Sequence, residues 1–200
     1  MQLTKNQKYW LIGIGIGSLA LVTLVILYFA KKGKGSGSYK MKYFTEDDKW
    51  YKYKDNKSIV EKLHPDAVPK FKDFLSRVEK ELDYVAIATS GYRSWEEQTK
   101  LKAQNSKNAS AGNSSHNYGF ALDVNFMKDG VNVLMKATDT SKWQKSGILD
   151  VAKDMGLLWG GTFDGYPDRV HFYYDPIPRS EMKERYLAGQ KDDKGYINLG

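Results

Sequence analysis

Residues 114–123 read SSHNYGFALD, so one histidine, His116, precedes one carboxylate, Asp123, by seven positions. On a straight helix these two side chains would share a face but lie about 10 Å apart, too far to meet at one point. Between them stand Asn117 and Gly119, residue types that tolerate the positive φ of a tight turn. We therefore expect the chain to fold back between His116 and Asp123.

Two strands are predicted around this turn. From residue 120 to 126 apolar residues alternate with small or polar ones, the period of a half-buried strand, and Asp123 falls on the side opposite the apolar row. Residues 169–174 repeat the pattern, with Val170 and Phe172 on one side and His171 on the other. We expect His171 to join His116 and Asp123.

Two histidines and one carboxylate indicate a Zn²⁺ site held by His116, Asp123 and His171. Three protein ligands leave the fourth position of a tetrahedral zinc open to water, which is typical of a catalytic rather than a structural site. Such a water is a nucleophile at neutral pH and needs a base beside it. Asp168 lies three residues before His171, and we interpret it as that base and as the acid that protonates the leaving amine.

These residues resemble a known family, the zinc-dependent peptidoglycan peptidases of the D-alanyl-D-alanine carboxypeptidase and L-alanyl-D-glutamate endopeptidase group, which includes many phage endolysins. The family pattern Ser-x-His-x-x-Gly-x-Ala-x-Asp is met at residues 114–123, and its acid-x-x-His element at Asp168 and His171. An upstream Ser-Gly-Tyr-Arg-Ser occupies residues 90–94, and the Gly-rich run 156–161 also looks like theirs. Many members carry Glu where this chain has Asp168.

The resemblance also implies roles for residues that geometry alone does not single out. An isolated arginine after a strand is usually a surface charge, but the resemblance implies that Arg93 is catalytic and binds a substrate carboxylate or the oxyanion of the scissile carbonyl, for which a planar, bidentate donor is suited. Gln98 and Ser114 would contribute neutral hydrogen bonds to the peptide. The spacing from Arg93 to Gln98 looks more like that of the L-Ala–D-Glu endopeptidases than that of the D-Ala–D-Ala carboxypeptidases.

Composition narrows the classes further. The 200 residues are 41% hydrophobic and contain no cysteine, which is compatible with a globular domain and excludes disulfides, thiolate ligands and a cysteine nucleophile. Residues 1–39 hold five lysines and no acid, so only +2 of the net charge of +7 belongs to residues 40–200. The basic balance therefore does not support a nucleic-acid partner.

A transmembrane helix is predicted at residues 10–30. From Leu11 to Ala30 the chain has twenty residues without a charge, enough to cross a hydrocarbon core of about 30 Å. A cleaved signal peptide and a buried soluble helix are the alternatives, but the apolar run is long for the first, and Tyr28 does not suit a cleavage site. Gly13 and Gly17 have the small-xxx-small spacing that lets two such helices associate in the lipid bilayer.

The predicted organisation is a tail (1–9), a transmembrane helix (10–30), a flexible Gly/Ser/Lys linker (31–40) and a zinc peptidase domain (41–200). Lysines are denser after the span than before it, and the positive-inside tendency would keep the C-terminal domain in the cytoplasm, whereas peptidoglycan lies outside. Two locations stay open: a single-pass protein whose C-terminal domain faces the cell wall, and the internal membrane of a phage particle.

The expected fold class is α+β, a small, mainly antiparallel sheet flanked by helices. Apolar spacing predicts an amphipathic helix from Pro65 to Leu82, with His64 as the residue that leads into it rather than a metal ligand. The other expectations are a strand at 85–89, helices at 96–107, 143–155 and 180–187, a hairpin at 128–133, a peripheral strand or loop at 41–58, and a loose tail or surface strap at 190–200.

The function that these predictions favour is hydrolysis of an amide in the peptidoglycan stem peptide by a membrane-anchored zinc metallopeptidase, with phage-encoded lysis among its roles. The alternative is a catalytically silent, membrane-tethered protein that binds the cell wall or belongs to a virion.

Overall fold

The computed structural model describes residues 56–129 and 132–200. The predicted tail, transmembrane helix and linker, with Gly13 and Gly17, lie outside these residues, as does the beginning of the predicted peptidase domain. Among the helices of the two described ranges, none combines the length and the apolar character needed to cross a bilayer.

The described residues form an α+β fold, as predicted, with six α-helices and five β-strands. The helices are α1 (Asn56–Glu61), α2 (Ala67–Leu82), α3 (Trp95–Gln104), α4 (Thr140–Gln144), α5 (Ile148–Asp154) and α6 (Arg179–Leu187). The strands are β1 (Val85–Ser90), β2 (Ala121–Lys128), β3 (Asn132–Leu134), β4 (Leu158–Trp159) and β5 (His171–Tyr173).

Strand β2 is the centre of an antiparallel sheet in which the strand order is β1, β2, β5, β4. Strand β1 pairs with β2 along one edge, whereas β5 and β3 pair with the first and last residues of β2 along the other. The predicted hairpin is confirmed, since Lys128 stands opposite Asn132. Strand β5 is shorter than predicted because only residues 171–173 pair with a neighbour.

The main hydrophobic core lies between helix α2 and one face of this sheet. The predicted alternation in β2 is confirmed, because Leu122, Val124 and Phe126 are fully buried in that core. Phe74 of α2 places its ring 5.0 Å from that of Phe172 in β5. Burial of these aromatic and aliphatic side chains is the dominant force that holds helix and sheet together, and it leaves the other face of β2 and β5 to carry Asp123 and His171.

Three predictions about elements need correction or completion. The helix expected at 143–155 is two helices, α4 and α5, because Gly147 adopts a positive φ of 79° between them. The expectation of a strand or loop for 41–58 is wrong at its end, where helix α1 begins at Asn56 and leads to the buried Val60 and Leu63. Residues 190–200 form a strap, in which Ile197 is buried and its carbonyl accepts a hydrogen bond from His64 Nε2 at 3.0 Å.

Candidate metal centre

Two of the predicted ligands face each other across neighbouring strands. Asp123 of β2 stands directly opposite His171 of β5 in the antiparallel register, and side chains of such cross-strand pairs emerge on the same face of the sheet. The Nδ1 atom of His171 lies 2.9 Å from Oδ1 of Asp123. Strand β1 bulges between Ala88 and Ser90 where it meets Asp123, and such bulges are common beside active sites.

The third predicted ligand reaches the sheet through the expected reversal of the chain. His116 lies in a 3₁₀-helix, Ser115–Tyr118, which ends at Gly119 with a φ of 77°. The backbone N–H of His64 donates to the Gly119 carbonyl at 3.1 Å, and a Cβ on Gly119 would collide with the His64 backbone nitrogen. Only glycine meets both demands, so this turn depends on it.

The donor atoms of the three side chains converge on one point. His116 Nε2 lies 3.1 Å from Asp123 Oδ1 and 3.1 Å from His171 Nδ1. Tetrahedral zinc with bonds of about 2.0–2.1 Å separates its ligand atoms by about 3.3 Å. The two histidines and one carboxylate therefore fit a zinc ion in both chemical type and spacing.

Protonation of the site also suits a metal. The carbonyl of Gly91 can only accept, so the 2.6 Å contact with His116 Nδ1 places the proton on Nδ1 and leaves the Nε2 lone pair free for a metal. Burial lowers the pKa of His116, which favours the neutral imidazole. Burial alone would raise the pKa of Asp123, but His116 and His171 outweigh it and hold that pKa well below its usual range. A neutral histidine and an ionised aspartate are the forms that bind metal.

The other predicted site residues line the same cleft, which has a volume of about 560 Å³. Alongside the three candidate ligands, its walls include Arg93, Gln98, Ser114 and Asp168. The structure thus brings together all seven residues that the sequence analysis selected. His64 is not among the ligands, since its Nε2 contacts the Ile197 carbonyl and its ring stacks on Phe120.

Arg93 is held rigidly beside the candidate ligands. Its Nη1 donates to Gln98 Oε1 at 2.8 Å, and its Nη2 donates to Ser90 Oγ at 2.9 Å and lies 3.8 Å from Asp123 Oδ2. Gln98 is almost completely buried, and its amide nitrogen donates to the Ala109 carbonyl at 2.7 Å. This geometry favours Gln98 as a residue that orients Arg93, whereas Ser114 is partly exposed in the cleft wall.

Two residues at the site escaped the sequence analysis in these roles. Asn117 was considered only for its turn conformation, but its amide donates to the Arg93 carbonyl at 2.9 Å and ties the arginine loop to the His116 turn. Lys136 lines the cleft, and its Nζ lies 3.2 Å from Oδ2 of Asp168. The position of Asn117 within the motif was a usable signal. Lys136 stands 32 residues from Asp168 in a segment without any motif.

Comparison with known proteins agrees with this site. A sequence model of the family described as D-alanyl-D-alanine carboxypeptidase matches residues 107–174. The peptidoglycan L-alanyl-D-glutamate endopeptidase CwlK of Bacillus subtilis (strain 168) is 30% identical over 125 residues, which cover 57% of this chain and 74% of that protein.

Two solved structures were also found to be similar. The L-Ala D-Glu endopeptidase ChiX of Serratia marcescens has a TM-score of 0.46 and 22% identity, with 62% of this chain and 88% of that chain covered. The vancomycin-resistance D,D-pentapeptidase VanY in complex with Zn(II) has a TM-score of 0.42 and 14% identity, with 74% and 86% covered.

The relationship to CwlK is close enough, and extends over enough of both proteins, to establish the family. Membership in a family of enzymes argues against the alternative of a silent wall-binding protein. The chain belongs to the zinc-dependent peptidoglycan peptidases of the D-alanyl-D-alanine carboxypeptidase and L-alanyl-D-glutamate endopeptidase family, and it is a zinc metallopeptidase.

Proposed function

We propose that this peptidase hydrolyses the amide between L-Ala and D-Glu in the peptidoglycan stem peptide, with His116, Asp123 and His171 as zinc ligands. The observation that carries the proposal is the convergence of three donor atoms within 3.1 Å of one another in a cleft that also holds a carboxylate, Asp168, and a guanidinium, Arg93. This is the set of groups that metal-assisted hydrolysis of an amide needs.

In the proposed reaction Asp168 moves the proton and Arg93 stabilises charge, while the three ligands hold the metal. Zinc, when bound, supplies a Lewis acid that activates a water molecule and polarises the scissile carbonyl. Asp168 accepts a proton from the attacking water as its oxygen bonds to the carbonyl carbon, and Arg93 stabilises the negative charge on the carbonyl oxygen. Asp168 then delivers the proton to the amide nitrogen as the C–N bond breaks, so that a carboxylic acid and an amine are released.

The choice of bond rests on two supports. The relative at 30% identity is an L-alanyl-D-glutamate endopeptidase, and the hydrogen bond from Arg93 to Gln98 keeps together the pair whose spacing resembles that branch. Cleavage of the terminal D-Ala is the second candidate, favoured by the description of the matching family model. Mass analysis of the products from purified stem peptides separates the two activities. Endopeptidase cleavage leaves L-Ala with a new carboxyl group, whereas carboxypeptidase cleavage releases D-Ala.

The role of Asp168 can be tested by zymography on peptidoglycan gels. We expect the wild type to clear the gel, and both chelation and Asp168→Ala to abolish clearing, because one removes the Lewis acid and the other the proton carrier. Asp150→Ala serves as the control, since Asp150 is an exposed carboxylate on helix α5 and does not line the cleft. Full clearing by Asp168→Ala would remove this residue from the mechanism.

We also propose that residues 10–30 anchor the enzyme in a membrane, with the peptidase domain facing the cell wall, or in the internal membrane of a phage particle, where it would serve lysis. The support is the uncharged run from Leu11 to Ala30 and the Gly/Ser-rich stretch that follows it. The full chain should stay in the membrane pellet after carbonate extraction, and a chain without residues 1–40 should not. Protease accessibility in intact and opened vesicles then identifies the side on which the domain lies.

A further inference from the structure

Of the two carboxylate oxygens of Asp168, one accepts a hydrogen bond and the other has no partner among the described residues. Its Oδ2 accepts a hydrogen bond from Lys136 Nζ at 3.2 Å. Its Oδ1 is buried and has no hydrogen-bond partner among the residues that the structure describes. A buried carboxylate oxygen without a partner is costly, so the hydrogen bond at Oδ2 is the contact that offsets this cost and holds the carboxylate in the cleft wall.

Lys136 is itself fixed by contacts on both its backbone and its side chain. Its carbonyl accepts a hydrogen bond from Arg169 Nη1 at 3.2 Å, and Arg169 is the residue after Asp168. Its Nζ lies 4.9 Å from the centre of the Tyr166 ring, two residues before Asp168. Two contacts therefore join the segment around Lys136 to the segment 166–169. The side chain of Arg169 binds the Lys136 backbone, and the side chain of Lys136 binds the Asp168 carboxylate.

The ion pair adds little to the stability of the fold. The Lys136 side chain is 50% exposed and that of Asp168 is 23% exposed, and solvent-exposed pairs of this kind typically contribute only about 0–1 kcal/mol. Burial alone would lower the pKa of Lys136, but attraction to Asp168 and hydrogen bonding to Tyr166 outweigh it and raise that pKa, so the ammonium stays charged at neutral pH. The ammonium is thus charged and available to Asp168 at neutral pH, and the stabilising effect of the pair is small.

We propose that Lys136 is a positioning residue, which holds Asp168 by Oδ2 so that the carboxylate keeps one orientation in the cleft wall for proton transfer. This inference rests on the proposed function, in which Asp168 moves the proton. Without Lys136 the carboxylate would lose its hydrogen bond at Oδ2, and a general base must stay within about 2.6–3.2 Å of the proton that it abstracts. A misplacement of about 1 Å can cost about 100-fold in rate.

The test is steady-state kinetics of the full chain on a purified stem peptide, with zinc content and melting temperature measured for every variant. Lys136→Met keeps an unbranched side chain against Tyr166 but removes the ammonium, and we expect kcat to fall about 10- to 100-fold with KM within about twofold and zinc content unchanged. Lys136→Arg should recover most of the loss, because it restores a cation at Oδ2. Lys100→Met is the control, since it breaks an exposed ion pair of 2.7 Å with Glu96 on helix α3, and its kinetics should match the wild type.

A double-mutant cycle with Asp168→Ala decides whether Lys136 acts through Asp168. If it does, Lys136→Met causes no further loss of kcat in the Asp168→Ala background. An unchanged kcat in Lys136→Met, a rise in KM alone, or an additive loss in the double variant would each overturn the inference. Loss of activity in Asp168→Ala without loss in Lys136→Met would leave the proposed function standing, whereas full activity in Asp168→Ala would remove the base assignment and this inference with it.

Discussion

At the scale of single residues, Arg93 shows how a charge is prepared for one task. Two neutral acceptors, Gln98 and Ser90, hold its guanidinium at 2.8 and 2.9 Å, and the nearest described carboxylate, that of the candidate ligand Asp123, lies at 3.8 Å. The neutral partners fix the direction of the donors and do not themselves neutralise the positive charge. Such a preorganised cation is suited to stabilise charge that develops on a substrate oxygen.

We predict that Arg93→Ala loses about 10²- to 10³-fold in kcat, the usual effect of removing an oxyanion donor, and keeps its zinc. Arg93→Lys should recover little, because one ammonium cannot replace a planar fork that contacts several groups at once. Metal analysis together with kinetics checks both statements. Arg77→Ala is a suitable control, since Arg77 pairs with Glu81 on the surface of helix α2. Loss of zinc in Arg93→Ala would contradict the division between ligands and charge-stabilising groups.

The sequence predicted the candidate metal ligands better than the residues that hold the site in place, such as Lys136. His116 and Asp123 belong to one short motif, and His171 shares a strand pattern, so local rules were sufficient to select them. Lys136 contacts Asp168 only because the segment after β3 docks beside the segment before β5. No local pattern encodes a contact between residues that far apart, and a lysine in a polar segment has no distinguishing feature in the sequence.

At the scale of elements, the turn that ends at Gly119 joins the metal site to the rest of the fold. It reverses the chain between His116 and β2, and its carbonyl receives the N–H of His64, the residue that leads into helix α2. The same histidine binds the C-terminal strap through Ile197. One turn therefore connects a candidate ligand, the main helix and the end of the chain.

Gly119→Ala should destabilise the protein more than a positive φ alone explains. Alanine at such a φ costs about 1–2 kcal/mol, and the collision of its Cβ with the His64 backbone should add about 1–3 kcal/mol, as overpacked sites do. Gly189→Ala is the matched control, because Gly189 has a φ of 76° and nothing within 4 Å of an added Cβ. Urea unfolding of both variants gives the difference. If Gly119→Ala and Gly189→Ala lost equal amounts of unfolding free energy, the close approach of the His64 backbone would not be what requires glycine at position 119.

Helices and strands were predictable where the periodic spacing of apolar residues continued without interruption. They were less predictable where the conformation of a single residue ended an element. The pattern of α2 and β2 extends over 16 and 8 residues, and both were found close to their predicted limits. The pattern from 143 to 155 hides the positive φ of Gly147, since its apolar residues keep helical spacing on both sides of the break. Strand β5 depends on pairing with β2 and β4 for its length, which its own sequence does not contain.

At the scale of the whole molecule, the metal site and the hydrophobic core use opposite faces of the same sheet. Phe172 and Leu122 point into the core, while their neighbours His171 and Asp123 point into the cleft. The core packs helix α2 through apolar side chains that do not include the three candidate ligands, so we expect the zinc-free protein to be folded. Zinc would then act as a cross-link among the His116 turn, β2 and β5, segments that span 55 residues of the chain.

Removal of zinc should therefore lower the melting temperature without abolishing the folded state. A ligand present at about 100 times its dissociation constant stabilises the native state by about 2.7 kcal/mol, which corresponds to about 5–10 °C for a protein of this size. We expect this shift on chelation, its reversal by added zinc, and its absence in His171→Ala, which has lost a ligand. Asp168→Ala should keep the whole shift, because Asp168 is not among the candidate ligands. A shift of the same size in His171→Ala, measured by thermal unfolding with and without chelator, would mean that the stabilising ion binds elsewhere.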